Sequence, residues 1–219
     1  MVAAPMAVEN YVRVIYTYTE WQPEKISTSA LAARLGLAAS SVTEMVKKLV
    51  AQGLVSHEPY GAVELTVEGT ALALSMVRRH RLIETWLVSQ YDYSWDEVHD
   101  EAEVLEHSMS DRLLDAIDRQ LGHPRRDPHG DHIPTREGLV EQPKAQLLVE
   151  LAQGGRSTVV RISDRDPLLL RHLAAEGIQL DTALTLTEFT QHGALVKSPE
   201  GTRELGRDAL RSIWMATPA

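Results

Sequence analysis

The sequence predicts a mainly α chain with small β parts, arranged as a winged helix-turn-helix, a helical middle domain and a C-terminal β-barrel. Three observations carry that expectation. Residues 26–55 read helix, glycine-containing turn, helix, and an alternating hairpin follows them. Residues 68–121 hold apolar stripes at helical spacing between recognisable helix starts and stops. From Lys144 onward the texture changes to short strands separated by glycine turns.

The elements follow in order. Val8 to Trp21 places Val8, Val12, Ile15 and Tyr16 on one helical face, and Pro23 lies in the break after it. Ser27 or Thr28 can cap a short helix, Ser29 to Leu35, and Gly36 suits a turn that needs positive φ. A second helix, Ala39 to Gln52, turns Val42, Met45, Val46 and Leu49 inward, with Gly53 in its C′ position. Leu54 to Thr66 alternates around Pro59-Tyr60-Gly61 and reads as the wing; a small helical bundle with an appended hairpin is the plainer alternative. Glu68 to Tyr91 is a long helix whose Leu72, Met76, Val77, Leu82, Ile83, Trp86 and Leu87 supply more apolar surface than one domain edge needs. Ser94 with Glu97 forms a capping box that opens the next helix, and Ser110 caps a third, Asp111 to Leu121.

Three helices after a wing point to a dimerisation domain, because dimeric DNA readers present two recognition helices about one DNA turn apart. Gly122 to Pro143 is a connector rich in Pro, Gly and charge. Its His123, His129 and His132 are irregularly spaced, which favours solvated side chains over a metal site. Beyond it, Gln146–Leu151, Thr158–Ile162, Ala183–Phe189, Ala194–Lys197 and Ser212–Met215 read as strands. Asp166–Glu176 reads as a helix with Pro167 in its first turn. The expected domains are residues 1–74, 75–143 and 144–219.

Composition narrows the function. No apolar run approaches the roughly 20 residues that span a bilayer. The start, MVAAPMAVENY, lacks the basic region and long apolar core of a signal peptide. The cytoplasm is therefore the expected compartment, with no membrane partner. Cysteine is absent, so any metal is held by nitrogen and oxygen. The net charge of −9 argues against a nucleic-acid partner, and residues 1–74 hold five basic against seven acidic side chains. DNA binding therefore rests on the motif. If the second helix enters the major groove, its exposed early residues are Ser40, Ser41, Thr43, Glu44, Lys47 and Lys48. The hydroxyls and lysines suit phosphates. Glu44 either accepts from a cytosine amino group or stands as an ordinary exposed carboxylate.

The stretch VHDEAEVLEHSMS, residues 98–110, organises the rest. On a helix, His99, Glu103, Glu106 and His107 recur at spacings of three and four and share one face. The preceding helix offers His80 and Glu84, again four apart. Imidazoles and carboxylates so clustered form a divalent-metal constellation. A solvated acidic face with incidental histidines is the alternative, though without a cation its like charges repel.

The segments ENYVRVIY, SSVTEMVKKL, RRHRLIE, VHDEAEVLEHSMSD and DPHGDHIP resemble the diphtheria-toxin-repressor family of metal-dependent transcriptional regulators. The resemblance spans the whole length and implies that the C-terminal barrel is SH3-like (FeoA-like). Carried over by position, it implies a primary metal site of Asn10, Glu103, Glu106 and His107. It implies an ancillary site of His80, Glu84 and His99, completed by the C-terminal domain, for which Asp164 in RISDRD is the candidate. A surface acid is the alternative there.

Iron-responsive members carry Cys at position 103 and Met at position 10; Glu103 and Asn10 stand here and move the site toward harder ions. Glu at position 103 resembles the manganese-responsive branch. Small sensors of that branch have acids at positions 10 and 13, where this chain has Asn10 and Arg13, so the two separated sites of three-domain members fit better.

The resemblance implies a homodimeric repressor, not an enzyme, that takes Mn²⁺ as corepressor on double-stranded operator DNA of manganese-homeostasis genes. It takes no small-molecule substrate. The alternative within the family is an Fe²⁺-dependent repressor, with Co²⁺ or Zn²⁺ substituting in vitro. Two rival classes are a metallohydrolase, against which stands the lack of HExxH, and a metal-independent regulator with a small-molecule pocket in the barrel.

Overall fold

The structure is a computed structural model that describes residues 5–58, 61–141 and 144–217. It divides into two compact units, one running to His80 and including Pro134–Leu139, the other comprising Arg81–Ile133 and Val140–Ala219.

The first unit opens with α1 (Met6–Glu20), α2 (Thr28–Leu35) and α3 (Ala39–Ala51). Ser27 Oγ accepts from the Ala30 N–H at 3.2 Å, so the expected cap starts α2. The strands β1 (Val55–His57) and β2 (Val63–Leu65) pair antiparallel, Val55 opposite Leu65. Of the expected wing turn, Pro59 and Tyr60 lie outside the described residues. Val8, Tyr11, Ile15, Leu31, Val42, Val46, Leu49, Val55 and Val63 form one core, so the helix-turn-helix and its wing close over α1. The long helix α4 (Val67–Tyr91) begins against that core. Its Gly69 is required by close approach: a Cβ there would lie 1.9 Å from the Leu54 carbonyl oxygen.

In the second unit, the rest of α4 packs with α5 (Val98–Glu106) and α6 (Asp111–Gln120) around Leu82, Ile83, Leu87, Val98, Ala102 and Leu114. Ser110 caps α6 by accepting from the Leu113 N–H. The other expected cap is only half made. The Ser94 N–H donates to the Glu97 carboxylate at 3.3 Å, but residues 95–97 form a turn and α5 starts at Val98. Trp95 packs its ring against the β-sheet core, and its carbonyl accepts from a histidine in place of a helical N–H.

The remainder is an antiparallel sheet of β3 (Ala145–Leu147), β4 (Arg156–Ile162), β5 (Ala183–Phe189), β6 (Gly193–Ser198), β7 (Gly201–Gly206) and β8 (Ile213–Ala216), in the order β3-β8-β4-β5-β6-β7. Helices α7 (Pro167–Ala175) and α8 (Arg207–Leu210) interrupt it. β4 pairs with β5 through residues 156–158 and with β8 through residues 159–162, and a register shift between Val159 and Arg161 marks the change of partner.

One expectation needed correction, and one strand, β7, had no counterpart in the sequence reading. Gln146–Leu151 is not one strand: after Leu147 the chain turns into a 3₁₀ helix, Leu148–Glu150, and the Glu150 carboxylate accepts from the Leu147 N–H. β7 carries no apolar alternation because it is an edge strand whose Thr202, Arg203 and Glu204 face solvent. Among the described residues no helix is long and apolar enough to cross a membrane.

Gly69→Ala should destabilise the first unit by about 1–3 kcal/mol, since the methyl group forces the start of α4 off Leu54. Denaturant unfolding of the variant and parent checks it.

Candidate metal centre

Glu84 is the centre of the best-defined cluster. It faces inward from α4, is 1% exposed, and carries a carboxylate that costs several kcal/mol to bury without a compensating cation. Three side chains from the same unit converge on it. His99, in the first turn of α5, places Nδ1 3.3 Å from Glu84 Oε1 and 3.8 Å from Asp164 Oδ2. Asp164 lies just beyond the end of β4. His129, from the connector, places Nδ1 3.9 Å from Glu84 Oε2. One ligand atom from each of Glu84, His129 and Asp164 can lie within 4.8 Å of the others, the spacing of groups that share an ion. His80, also buried, precedes Glu84 by one turn of α4, so the i, i+4 spacing sets both on one face.

His129 is the residue sequence reading missed. The irregular spacing of the connector histidines argues for solvated rings, and His123 is indeed exposed, but His129 is 1% exposed. The turn DPHGD puts it inside. Asp127 Oδ1 accepts from the N–H groups of both His129 and Asp131, at 2.8 and 2.9 Å. Gly130 adopts φ +94°, and a Cβ on it would meet the Val160 carbonyl oxygen at 2.1 Å. The doubled aspartate around Pro-His-Gly was the available signal, but loop geometry has no periodicity to expose it.

The tautomer of His129 follows from its partner. Nε2 lies 2.6 Å from the Trp95 carbonyl, which only accepts, so Nε2 carries the proton. Nδ1 is buried with no hydrogen-bond partner and presents its lone pair to Glu84 and Asp164 when the ring is neutral. Burial alone would lower the ring's pKa; the carboxylates of Glu84, Asp127 and Asp164 more than offset it and hold it at about 9. Asp127 is pushed up to about 7 by burial and by Asp131 beside it. The carboxylates thus favour positive charge at His129, carried as a proton on the ring or by a metal ion bound to it.

The second predicted set lies along α5. Glu106, its last residue, is 1% exposed, and His107 follows in the C-cap position with helical backbone. Glu106 Oε1 and His107 Nε2 stand 3.3 Å apart. Glu103, half-buried, is one turn back on the same helix. Asn10 sits on α1, where its Oδ1 is buried with no hydrogen-bond partner, and Arg13, one turn on, is also buried. An amide oxygen withdrawn from water calls for a partner.

The predicted DNA-facing residues Ser40, Ser41, Thr43, Glu44, Lys47 and Lys48 are all exposed on α3. Thr43 Oγ1 donates to the Ala39 carbonyl, and Glu44 accepts from Lys47 Nζ at 2.8 Å.

The chain matches the family model described as iron-dependent repressor, N-terminal DNA-binding domain, over residues 6–63. It also matches that of the iron-dependent repressor metal-binding and dimerisation domain over residues 66–135. It is 36% identical to the diphtheria toxin repressor of Corynebacterium efficiens over 208 residues, 88% of this chain and 87% of that one. It is 35% identical to the iron-dependent repressor IdeR of Mycobacterium tuberculosis over 133 residues, which is 61% of this chain and only 56% of that relative. Among solved structures, a manganese-dependent transcriptional repressor in complex with manganese superposes with a TM-score of 0.92 at 48% identity, covering 96% of this chain and all of the other. ScaR with bound Zn²⁺ gives 0.82 at 30% identity, covering 96% and 99%.

The raised pKa of His129 fixes a pH dependence. Its contribution to the stability of the metal-free fold is complete below the unfolded value of 6.5 and is lost as pH rises through about 9. A metal competes with that proton, so Mn²⁺ affinity at the Glu84 cluster should rise from pH 7 to 9 by up to about tenfold per unit. Titrations at graded pH test this; a flat profile would show that metal binding displaces no proton from His129.

Proposed function

The chain belongs to the iron-dependent repressor family of DNA-binding regulators, and we propose that it is of the manganese-responsive kind: a cytoplasmic, homodimeric repressor of manganese-homeostasis genes that takes Mn²⁺ as its corepressor. The donor set carries this reading. Around Glu84 and along α5 the available atoms are carboxylate oxygen and imidazole nitrogen, and the chain has no cysteine. Such donors suit a hard ion better than the thiolate and thioether sites that favour softer metals. The manganese-dependent description of the structural relative at 48% identity supports the same reading.

In this proposal Glu103, Glu106 and His107 hold the first ion, and the buried Asn10 amide oxygen on α1 completes it. His80, Glu84, His99, His129 and Asp164 hold the second. A metal held by Asn10 together with Glu103, Glu106 and His107 would tether the helix that opens the DNA-binding domain to the dimerisation helices. Ser40, Ser41, Thr43, Lys47 and Lys48 then position α3 on phosphates, with Glu44 toward a base edge. Val104 on α5 and Leu113 on α6 are large apolar side chains exposed in the single chain, as a dimer contact requires. Restricting the orientations of the two recognition helices raises the fraction of dimers competent for an operator, and DNA reciprocally tightens metal binding.

An iron-dependent repressor is the second reading, favoured by the description of the matching family models. Operator binding by chelator-stripped protein, titrated with Mn²⁺, Fe²⁺, Co²⁺ and Zn²⁺, separates the two; activation by Fe²⁺ at lower free concentration than Mn²⁺ would overturn the manganese reading. Glu103→Cys should shift the response toward Fe²⁺ and Co²⁺, and an unchanged metal order would remove the donor-set argument. His107→Ala should abolish metal-stimulated operator binding and leave a folded dimer by sedimentation; retained stimulation would place the activating site elsewhere.

A further inference from the structure

We propose that Arg161 and Asp131 are positioning residues for the second metal site, fixing His129 and Asp164 at ligating distance from Glu84; this rests on reading that cluster as a metal site. His129 sits in a loop and Asp164 just past a strand end, so neither inherits the rigidity of the helix that carries Glu84. The residues that tie the three segments together are buried and polar. Asp131 Oδ1 accepts from Arg161 Nε at 2.6 Å, and both side chains are nearly inaccessible. Arg161 lies on β4 three residues before Asp164, and its guanidinium stacks 4.2 Å from the centre of the Trp214 ring on the neighbouring strand β8.

Asp131 is also 3.6 Å from Arg81 Nη2, and Arg81 lies on α4 three residues before Glu84. Arg81 further donates to the His132 carbonyl at 2.5 Å and approaches Asp127 at 3.6 Å. One carboxylate therefore touches both the strand that leads to Asp164 and the helix that carries Glu84. The backbone reinforces it: the Ile162 N–H donates to the His129 carbonyl at 2.9 Å, and the methylene of Gly130 lies against the Val160 carbonyl.

A buried ion pair contributes little net stability, because desolvation offsets its attraction. Its distinctive effect is geometric. Partners that orient metal ligands from behind typically hold 10–100-fold in metal affinity. The Arg161 Nε position is reached by the amide nitrogen of glutamine, which has the same number of bonds from the backbone, whereas methionine places a methyl group there.

The test uses the full chain in the His107→Ala background, so that only the second site remains. Bound Mn²⁺ is counted by the loss of the six-line paramagnetic signal of the free ion. The background should bind one Mn²⁺ per chain at the second site. Adding Arg161→Met should weaken that binding 10–100-fold, while Arg161→Gln stays within about threefold. Circular dichroism of the metal-free proteins checks that each is folded.

If the background binds no Mn²⁺, the reading of the cluster as a metal site fails and this proposal with it. If the background binds and Arg161→Met binds equally well, the positioning role alone is overturned. Equal losses in the methionine and glutamine variants also overturn it, since they would trace the effect to the guanidinium charge. Should Arg161→Met not fold, Arg161→Lys keeps the buried charge and moves the donor one bond outward. It is expected to lose about tenfold, and undiminished affinity there overturns the proposal.

Discussion

The second unit is organised around a set of buried carboxylates that draw positive charge toward them. Glu84, Asp127 and Asp164 surround the His129 imidazole, with His99 also against Glu84 and Arg81 against Asp127, and the burial of Glu84 and Asp127 deprives them of the water that would otherwise screen their repulsion. Carboxylates buried so close together need cationic partners, and Arg81 supplies one beside Asp127. In the metal-free protein the His129 ring carries positive charge as a proton. In the proposed function the same geometry would receive a divalent ion, which brings two charges where the proton brings one.

The DPHGD turn matters because it brings chain from outside the helices to that centre. Its first aspartate shapes the turn by accepting two backbone N–H groups, its histidine donates to Trp95 and turns Nδ1 inward, and its last aspartate meets Arg161. The β-sheet is therefore fastened to the helical segment within one unit, and Trp95 from the helical segment joins the sheet's own core. The pairing of Arg126 with Asp181 adds a second, exposed tie between the turn and the sheet.

The first unit solves a separate problem, presenting a helix to a polyanion from an acidic chain. Nothing in its overall charge helps: acidic side chains outnumber basic ones across the whole sequence. What helps is local. α3 turns its apolar side into the core and leaves hydroxyls and lysines exposed, with Lys47 held to Glu44 in the absence of DNA. In the functional reading, metal control compensates for weak attraction: an acidic protein has little non-specific affinity to overcome, so orientation of two recognition helices decides whether it binds.

The sequence alone determined the elements whose cause is local. Helix periodicity located α1, α3, α4 and α6 within a residue or two; Ser27 and Ser110 marked helix starts; and the three- and four-residue spacings along α4 and α5 put His80 with Glu84, and Glu103 with Glu106 and His107. A repeat of 3.6 residues makes such neighbours legible before any fold is known. Tertiary structure alone decided what depends on distant chain. It brought His129 to Glu84 across 45 residues, left β7 as a solvent-facing edge, delayed α5 past its capping box, and joined Asp131 to Arg161. The physical reason is the same each time: a loop residue or an edge strand takes its environment from what packs against it, and no spacing along the chain records that.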